Sequence, residues 1–139
     1  MITESLIHYP PHYVQGRTIE PITVIETWGL CHHLACVVKY IARAGRKTSH
    51  LEDLKKAEWY LTRELHRHQK GFNKCHFALI DPSSITPDAI LADWDLSPRL
   101  EDVLLYLEST RNTAVKRETL QKALHCLQAE ITHPERTPR

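Results

Sequence analysis

An internal repeat constrains the fold of this 139-residue chain more than any other feature of its sequence. When the sequence is shifted by 66 positions, residues 19–65 align with residues 85–131 without a gap, and 13 of the 47 aligned positions are identical. Most of the identical residues are of the types that form protein cores. The pattern predicts two tandem copies of one unit, each made of a short helix followed by two longer helices.

The repeat predicts an all-α fold in which the two three-helix units pack against each other as an intrachain pseudo-dimer. The chain is short enough for a single domain, residues 1–139. Residues 72–84 are expected to form a linker, and residues 132–139 a flexible tail. The expected core contains Leu34, Val37, Ile41, Leu54, Leu61, Leu100, Val103, Leu107, Leu120, Leu124 and Leu127.

Local sequence signals place the helices of the first copy at residues 21–28, 30–44 and 49–69. Pro21 is suited to a first helical turn, where its missing N–H costs nothing. Gly45 is expected to end the second helix in a left-handed conformation. Ser49 and Glu52 have the spacing of a capping box, which predicts the start of the third helix.

Charge and hydropathy limit the partners and the location of the protein. The formal net charge is only +1, which argues against a protein that coats duplex nucleic acid, and any anion site must come from local clustering. The chain has no run of 18 apolar residues and no signal peptide at its N-terminus, so we expect a cytoplasmic protein with no membrane partner. The spacing of the four cysteines predicts free thiols rather than a disulfide framework.

The two longer helices of the first copy are predicted to be amphipathic. At 100° per residue, the second helix places cationic side chains on one side, at Lys39, Arg43, Arg46 and Lys47. The third helix is expected to bury Leu51, Leu54, Leu61 and Leu65 and to expose Asp53, Lys56, Tyr60 and Glu64. Packing of the two apolar faces would leave a charged rim, where we expect the functional site.

The second copy keeps most of the apolar residues of the first but lacks several of its charged and aromatic residues. Lys39 and Arg43 are replaced by Leu105 and Ser109, and Tyr60 is replaced by Cys126. The sequence therefore predicts that the first copy carries the function and that the second is a degenerate structural partner.

Several motifs of the first copy occur in a fixed order: His-Tyr, Glu-Pro, Lys-Tyr, Arg-Ala-Gly-Arg-Lys, Glu-Asp-Leu-Lys-Lys-Ala and Trp-Tyr-Leu. This combination, over residues 11–65, resembles a family of small bacteriophage proteins of largely unassigned function, in part described as phage nucleotide kinases. The resemblance implies a phage origin and a nucleotide-like ligand. The matching positions are His12, Tyr13, Gly16, Glu20, Pro21, Lys39, Tyr40, Arg43, Gly45, Arg46, Lys47, Glu52, Asp53, Lys56, Ala57, Trp59 and Tyr60.

The residue types of this segment also fit a phosphate-bearing ligand. Arginine forks and lysine charges bind phosphate, and aromatic rings stack on bases. The predicted ligand-binding residues are Tyr13, Lys39, Tyr40, Arg43, Arg46, Lys47, Lys56, Trp59 and Tyr60. His12 and Asp53 are the candidates for proton transfer or metal binding in catalysis.

Two classes of function remain open. One is phosphoryl transfer to nucleoside monophosphates, which would need ATP and Mg²⁺, although the sequence has no glycine-rich phosphate loop. The other is a non-catalytic protein that sequesters a signalling nucleotide or docks on a host protein. A homo-oligomer is compatible with both. No metal site is predicted, because the His and Cys spacings match no closed zinc pattern.

Overall fold

The computed structural model describes residues 19–44, 50–69, 85–110 and 116–134. These residues form six α-helices, so the prediction of an all-α fold is confirmed for this part of the chain. The helices are α1 (Pro21–Trp28), α2 (His32–Arg43), α3 (His50–Gln69), α4 (Pro87–Trp94), α5 (Pro98–Glu108) and α6 (Arg117–Thr132). None of the described helices is both long enough and apolar enough to cross a bilayer.

The short helices α1 and α4 begin and end in the same way. Each has a proline in its first turn, and each is followed by a residue in the left-handed conformation, Gly29 with φ 64° and Asp95 with φ 56°. The next residue then bonds back into the helix, with Leu30 N–H and Leu96 N–H each 3.1 Å from the carbonyl oxygen that it reaches. This geometry reverses the chain within three residues, so α2 and α5 start directly afterwards.

The longer helices surround one core. Helix α2 packs on α3, α5 packs on α6, and α3 also packs on α6. Of the predicted core residues, all are buried except Leu124, which is half-buried on α6. The core also contains Trp28 and Trp94, which are the largest fully buried side chains.

These two tryptophans connect the first three helices with the last three. The indole N–H of Trp28 donates to the carbonyl oxygen of Ile85 at 3.0 Å, and that of Trp94 donates to the carbonyl oxygen of Ile19 at 2.7 Å. In addition, the backbone N–H of Ile19 donates to Asp93 Oδ2 at 2.8 Å. The two tryptophan bonds are therefore equivalent to each other, because Trp94 and Ile85 stand 66 positions after Trp28 and Ile19.

The structure corrects the predicted faces of α3. Asp53 and Glu64 were expected on the exposed side, but both are fully buried, whereas Leu51 is 46% exposed. The carboxylates are buried because cationic or hydrogen-bonding side chains of α2 reach them, namely Arg43 and His33. A carboxylate with such partners avoids the cost of an unpaired buried charge.

Two predicted boundaries also differ. Helix α2 begins at His32 rather than at residue 30, because Gly29 and Leu30 belong to the turn after α1. Thr132 is the last residue of α6 rather than the first of a flexible tail. The predicted cap at Gly45, the cap at Ser49 and the linker at residues 72–84 lie outside the described residues.

Candidate functional site

A pair of stacked tyrosines lies where α2 and α3 face each other. The rings of Tyr40, from α2, and Tyr60, from α3, are 5.9 Å apart between centroids and 16° from parallel. Both residues are half-buried and pack against the edge of the core. Since aromatic pairs are favourable at this separation, the stack fixes the position of both rings.

Three cationic side chains surround the Tyr40 ring. The Nζ atoms of Lys39 and Lys56 lie 5.2 Å and 5.6 Å from its centroid, and the Arg43 guanidinium carbon lies 5.1 Å from it. All three distances are within the range of cation–π contacts. Lys39, Tyr40, Arg43, Lys56 and Tyr60 are called the tyrosine–cation cluster below.

Arg43 is held in place by a buried carboxylate. Its Nε donates to Asp53 Oδ1 at 3.3 Å, and the side chains of Arg43 and Asp53 are 12% and 0% exposed. Within the described residues, the two Nη groups of Arg43 donate no hydrogen bond to the protein. The Nε contact therefore orients the guanidinium, and no described side chain occupies its remaining donors.

The cluster carries excess positive charge. No carboxylate forms an ion pair with Lys39 or Lys56 in the part of the chain that the structure describes. The buried Asp53 offsets one of the three cations. Among the described residues, two cations without a carboxylate partner thus lie close to one aromatic ring, which favours an anionic ligand.

His32 and His33 also lie beside Tyr60, and Cys36 lies beside His32; the sequence did not predict these three residues as part of the site. The His32 and His33 rings lie 6.0 Å and 6.1 Å from the Tyr60 ring, and Cys36 Sγ lies 3.8 Å from His32 Nε2. The helical spacing in the sequence could have indicated this placement, because His32 and Cys36 are one turn apart on the face of α2 that also carries Tyr40. Over the described ranges, no three His, Cys, Asp or Glu side chains gather in an arrangement that could hold a metal ion.

The cysteines differ in part from the prediction of free thiols. Cys36 and Cys126 are free, but Cys31 belongs to a disulfide. Burial raises the pKa of the Cys36 thiol, although the nearby Lys39 charge acts in the opposite direction. The negative charge that Cys36 would acquire is the main reason why the pKa of Tyr60 is also raised. Both groups therefore stay protonated near neutral pH.

The free thiols should react slowly with alkylating reagents. Burial raises the pKa of Cys126 as well as that of Cys36, so each thiol has a smaller thiolate fraction at neutral pH than an unhindered thiol. We expect iodoacetamide to modify both cysteines more slowly than it modifies the thiol of glutathione, and we expect the rates to rise as the pH increases. Mass spectrometry of timed samples measures each site, and a Cys36 rate equal to that of glutathione would contradict the expectation.

The other predicted site residues lie elsewhere. Trp59 is 59% exposed and contacts Tyr60 edge to face, with 5.0 Å between ring centroids. Asp53 is fully buried beside Arg43, as described above. The remaining predicted residues, His12, Tyr13, Arg46 and Lys47, lie outside the described residues.

The corresponding positions of the last three helices lack most of the cluster. Leu105, Ser109 and Cys126 stand 66 residues after Lys39, Arg43 and Tyr60. Only the equivalents of Tyr40 and Lys56, which are Tyr106 and Lys122, have the same residue type. The two cationic partners supplied by α2 are therefore present once in the sequence.

Part of the chain is similar to a known family. Residues 7–62 match the model of DUF3310, a family of proteins of unknown function. The matched segment includes all five residues of the tyrosine–cation cluster and overlaps the segment whose motifs resemble the phage proteins. No curated protein and no solved structure matches the chain.

Proposed function

We propose that this protein binds a nucleotide, or another ligand that combines phosphate with an aromatic ring, at the tyrosine–cation cluster. The observation that carries the proposal is the arrangement of Lys39, Arg43 and Lys56 around the Tyr40 ring, with Tyr60 stacked beside it. The arrangement places positive charge and aromatic surface within one short stretch of the α2–α3 interface.

Each side chain has a distinct role in this proposal. Arg43, oriented by Asp53, would bind two phosphate oxygens through its Nη groups. Lys39 and Lys56 would add point charges that neutralise the remaining phosphate charge. The half-buried Tyr60 would offer its accessible part to the base.

A binding role is favoured over phosphoryl transfer. Asp53 was a candidate catalytic residue, but its burial and its contact with Arg43 suit a positioning role better than proton transfer. The resemblance of the motifs to phage nucleotide kinases supports phosphoryl transfer to a nucleoside monophosphate as the second candidate. Under either function we propose a phage origin, and a binder would act by sequestering a nucleotide or by docking on a host protein.

We also propose that the chain is an intrachain pseudo-dimer whose last three helices serve as a scaffold. The reciprocal tryptophan bonds support this, because Trp28 and Ile19 have Trp94 and Ile85 as their equivalents 66 positions later. In a two-fold dimer, contacts occur in such reciprocal pairs. A single functional site per chain follows, since the cationic residues of α2 have no equivalents on α5.

Thermal unfolding in the presence of nucleoside mono-, di- and triphosphates tests the proposed function. A ligand at 100 times its dissociation constant stabilises the folded state by about 2.7 kcal/mol, which raises the melting temperature by several degrees. We expect such a shift for the intact protein and its loss in a Lys39→Ala, Lys56→Ala variant. Incubation of the bound ligand with ATP and Mg²⁺ then separates a kinase from a binder.

The second half of the chain supplies the matched control. Lys122→Ala removes the lysine that corresponds to Lys56, and it should leave the ligand-induced shift unchanged. The absence of any shift with all nucleotides, or an equal loss in the Lys122→Ala variant, would refute a site at the tyrosine–cation cluster.

A further inference from the structure

We propose that the natural ligand is a short single-stranded oligonucleotide and that Trp59 forms a second base-binding position. This inference rests on the proposed function, which places the first nucleotide at the tyrosine–cation cluster. It adds a ligand class and a second subsite, on the outer face of α3.

Trp59 is the most exposed large apolar side chain of the described residues, with 59% of its surface accessible. The other two tryptophans, Trp28 and Trp94, are fully buried in the core. Trp59 is not isolated, because its ring makes an edge-to-face contact with Tyr60, which in turn stacks on Tyr40. Three aromatic rings thus continue from the cluster to the outer surface of the helix.

A cleft of about 320 Å³ adjoins Trp59. Its described lining comes from one face of α3 and consists of Lys55, Glu58, Trp59, Thr62, Arg63 and His66. These residues recur every three or four positions, so at 1.5 Å per residue the face is about 16 Å long. That length exceeds what a single nucleobase needs and leaves the indole near the middle of the cleft.

The charge of the cleft complements a nucleic-acid backbone. Lys55 and Arg63 flank the indole, and neither forms an ion pair with a carboxylate in the described ranges. Glu58 is the one described acidic residue in the lining. Two groups of cations therefore lie on either side of the aromatic series, one around Tyr40 and one around Trp59.

Alternation of aromatic and cationic side chains is how proteins bind single strands without sequence preference. Bases stack on successive rings, while lysine and arginine contact the phosphates between them. A mononucleotide would occupy only the Tyr40 end of this surface. A ligand with two or more linked nucleotides would contact both groups of cations. The bases of duplex DNA could not stack on the aromatic rings, because they are already stacked on each other.

Tryptophan fluorescence tests the inference, because Trp59 alone among the three tryptophans is accessible. Thymidine monophosphate and oligothymidylates of two, four and eight nucleotides would be titrated into the full chain. We expect the tetranucleotide to quench the emission and to bind about 5- to 100-fold more tightly than the monophosphate. This gain in affinity should disappear in the Trp59→Ala variant and in the Lys55→Ala, Arg63→Ala double variant. Calorimetry measures the binding to both variants.

His125→Ala is the matched control, because His125 is exposed and stands 66 residues after Trp59. It should keep the full gain in affinity. If the monophosphate binds and the oligothymidylates bind no more tightly, or if Trp59→Ala retains the gain, the second subsite is wrong and the proposed function stands. If neither the monophosphate nor any oligothymidylate binds, this inference fails, and the proposed function fails as well if no nucleotide shifts the melting temperature.

Discussion

Replacing Asp53 with threonine is expected to lower the free energy of unfolding by about 3–5 kcal/mol, the usual cost of removing one partner of a buried ion pair. The substitution leaves Arg43, whose side chain is only 12% exposed, without its carboxylate. It also removes a negative charge from the first turn of α3, where the helix dipole favours one. Urea denaturation followed by circular dichroism measures the change.

The chain itself supplies the control for this prediction. Ser109 and Thr119 stand at the positions that correspond to Arg43 and Asp53 in the last three helices, so that half folds without the ion pair. We expect an Arg43→Ser, Asp53→Thr double variant to recover most of the lost stability, since no unpaired buried charge remains. A double variant less stable than Asp53→Thr alone would show that Arg43 stabilises the fold without Asp53.

The same double variant separates stability from binding. If Arg43 contacts a phosphate of the ligand, the variant should unfold near the temperature of the unmodified protein but lose its nucleotide-induced shift. A protein that is restored in stability and still binds nucleotides would place the phosphate contact on Lys39 and Lys56 alone.

The helices and most of the core could be predicted from the sequence, because both depend on local patterns. Leu34, Val37 and Ile41 recur at helical spacing and are buried as expected. Pro21 and Gly29 mark the limits of α1 through their backbone preferences alone. Such signals act within a few residues, so one sequence is enough to interpret them.

The burial of Asp53 and Glu64 could not be predicted in the same way. A helical projection assigns each residue to a face by its polarity, and both carboxylates were therefore expected at the surface. Whether a carboxylate is buried depends on its partner, and Arg43 and His33 are 10 and 31 residues away in sequence. The packing of α2 on α3 decides this, and local periodicity does not contain it.

The candidate site was predicted by residue type but not by arrangement. Lys39 and Arg43 were expected on one face of a helix, and Lys56 and Tyr60 on one face of the next. That Tyr40 would be the common neighbour of three cations depends on the crossing of the two helices. For the same reason, the positions of His32 and His33 beside Tyr60 were missed.

Replacing Glu64 is expected to have the second large effect on the free energy of unfolding, after the replacement of Asp53. Its Oε1 lies 2.9 Å from His33 Nδ1 and 3.1 Å from Arg67 Nε, and its side chain is 1% exposed. We expect Glu64→Ala to lower the free energy of unfolding by about 3 kcal/mol, because it removes both hydrogen bonds and leaves a space in the α2–α3 interface. The cost should be smaller than for Asp53, since His33 does not need to carry a charge and Arg67 is 35% exposed.

Two further variants show which part of this contact matters. Arg67→Ala should cost less than about 1 kcal/mol, because the pair that it forms with Glu64 is partly solvated. Glu64→Gln keeps the shape of the side chain and a hydrogen-bonding oxygen for His33, so it should cost less than Glu64→Ala. If Glu64→Gln is instead as destabilising as Glu64→Ala in urea denaturation, the negative charge rather than the packing of Glu64 holds α2 against α3.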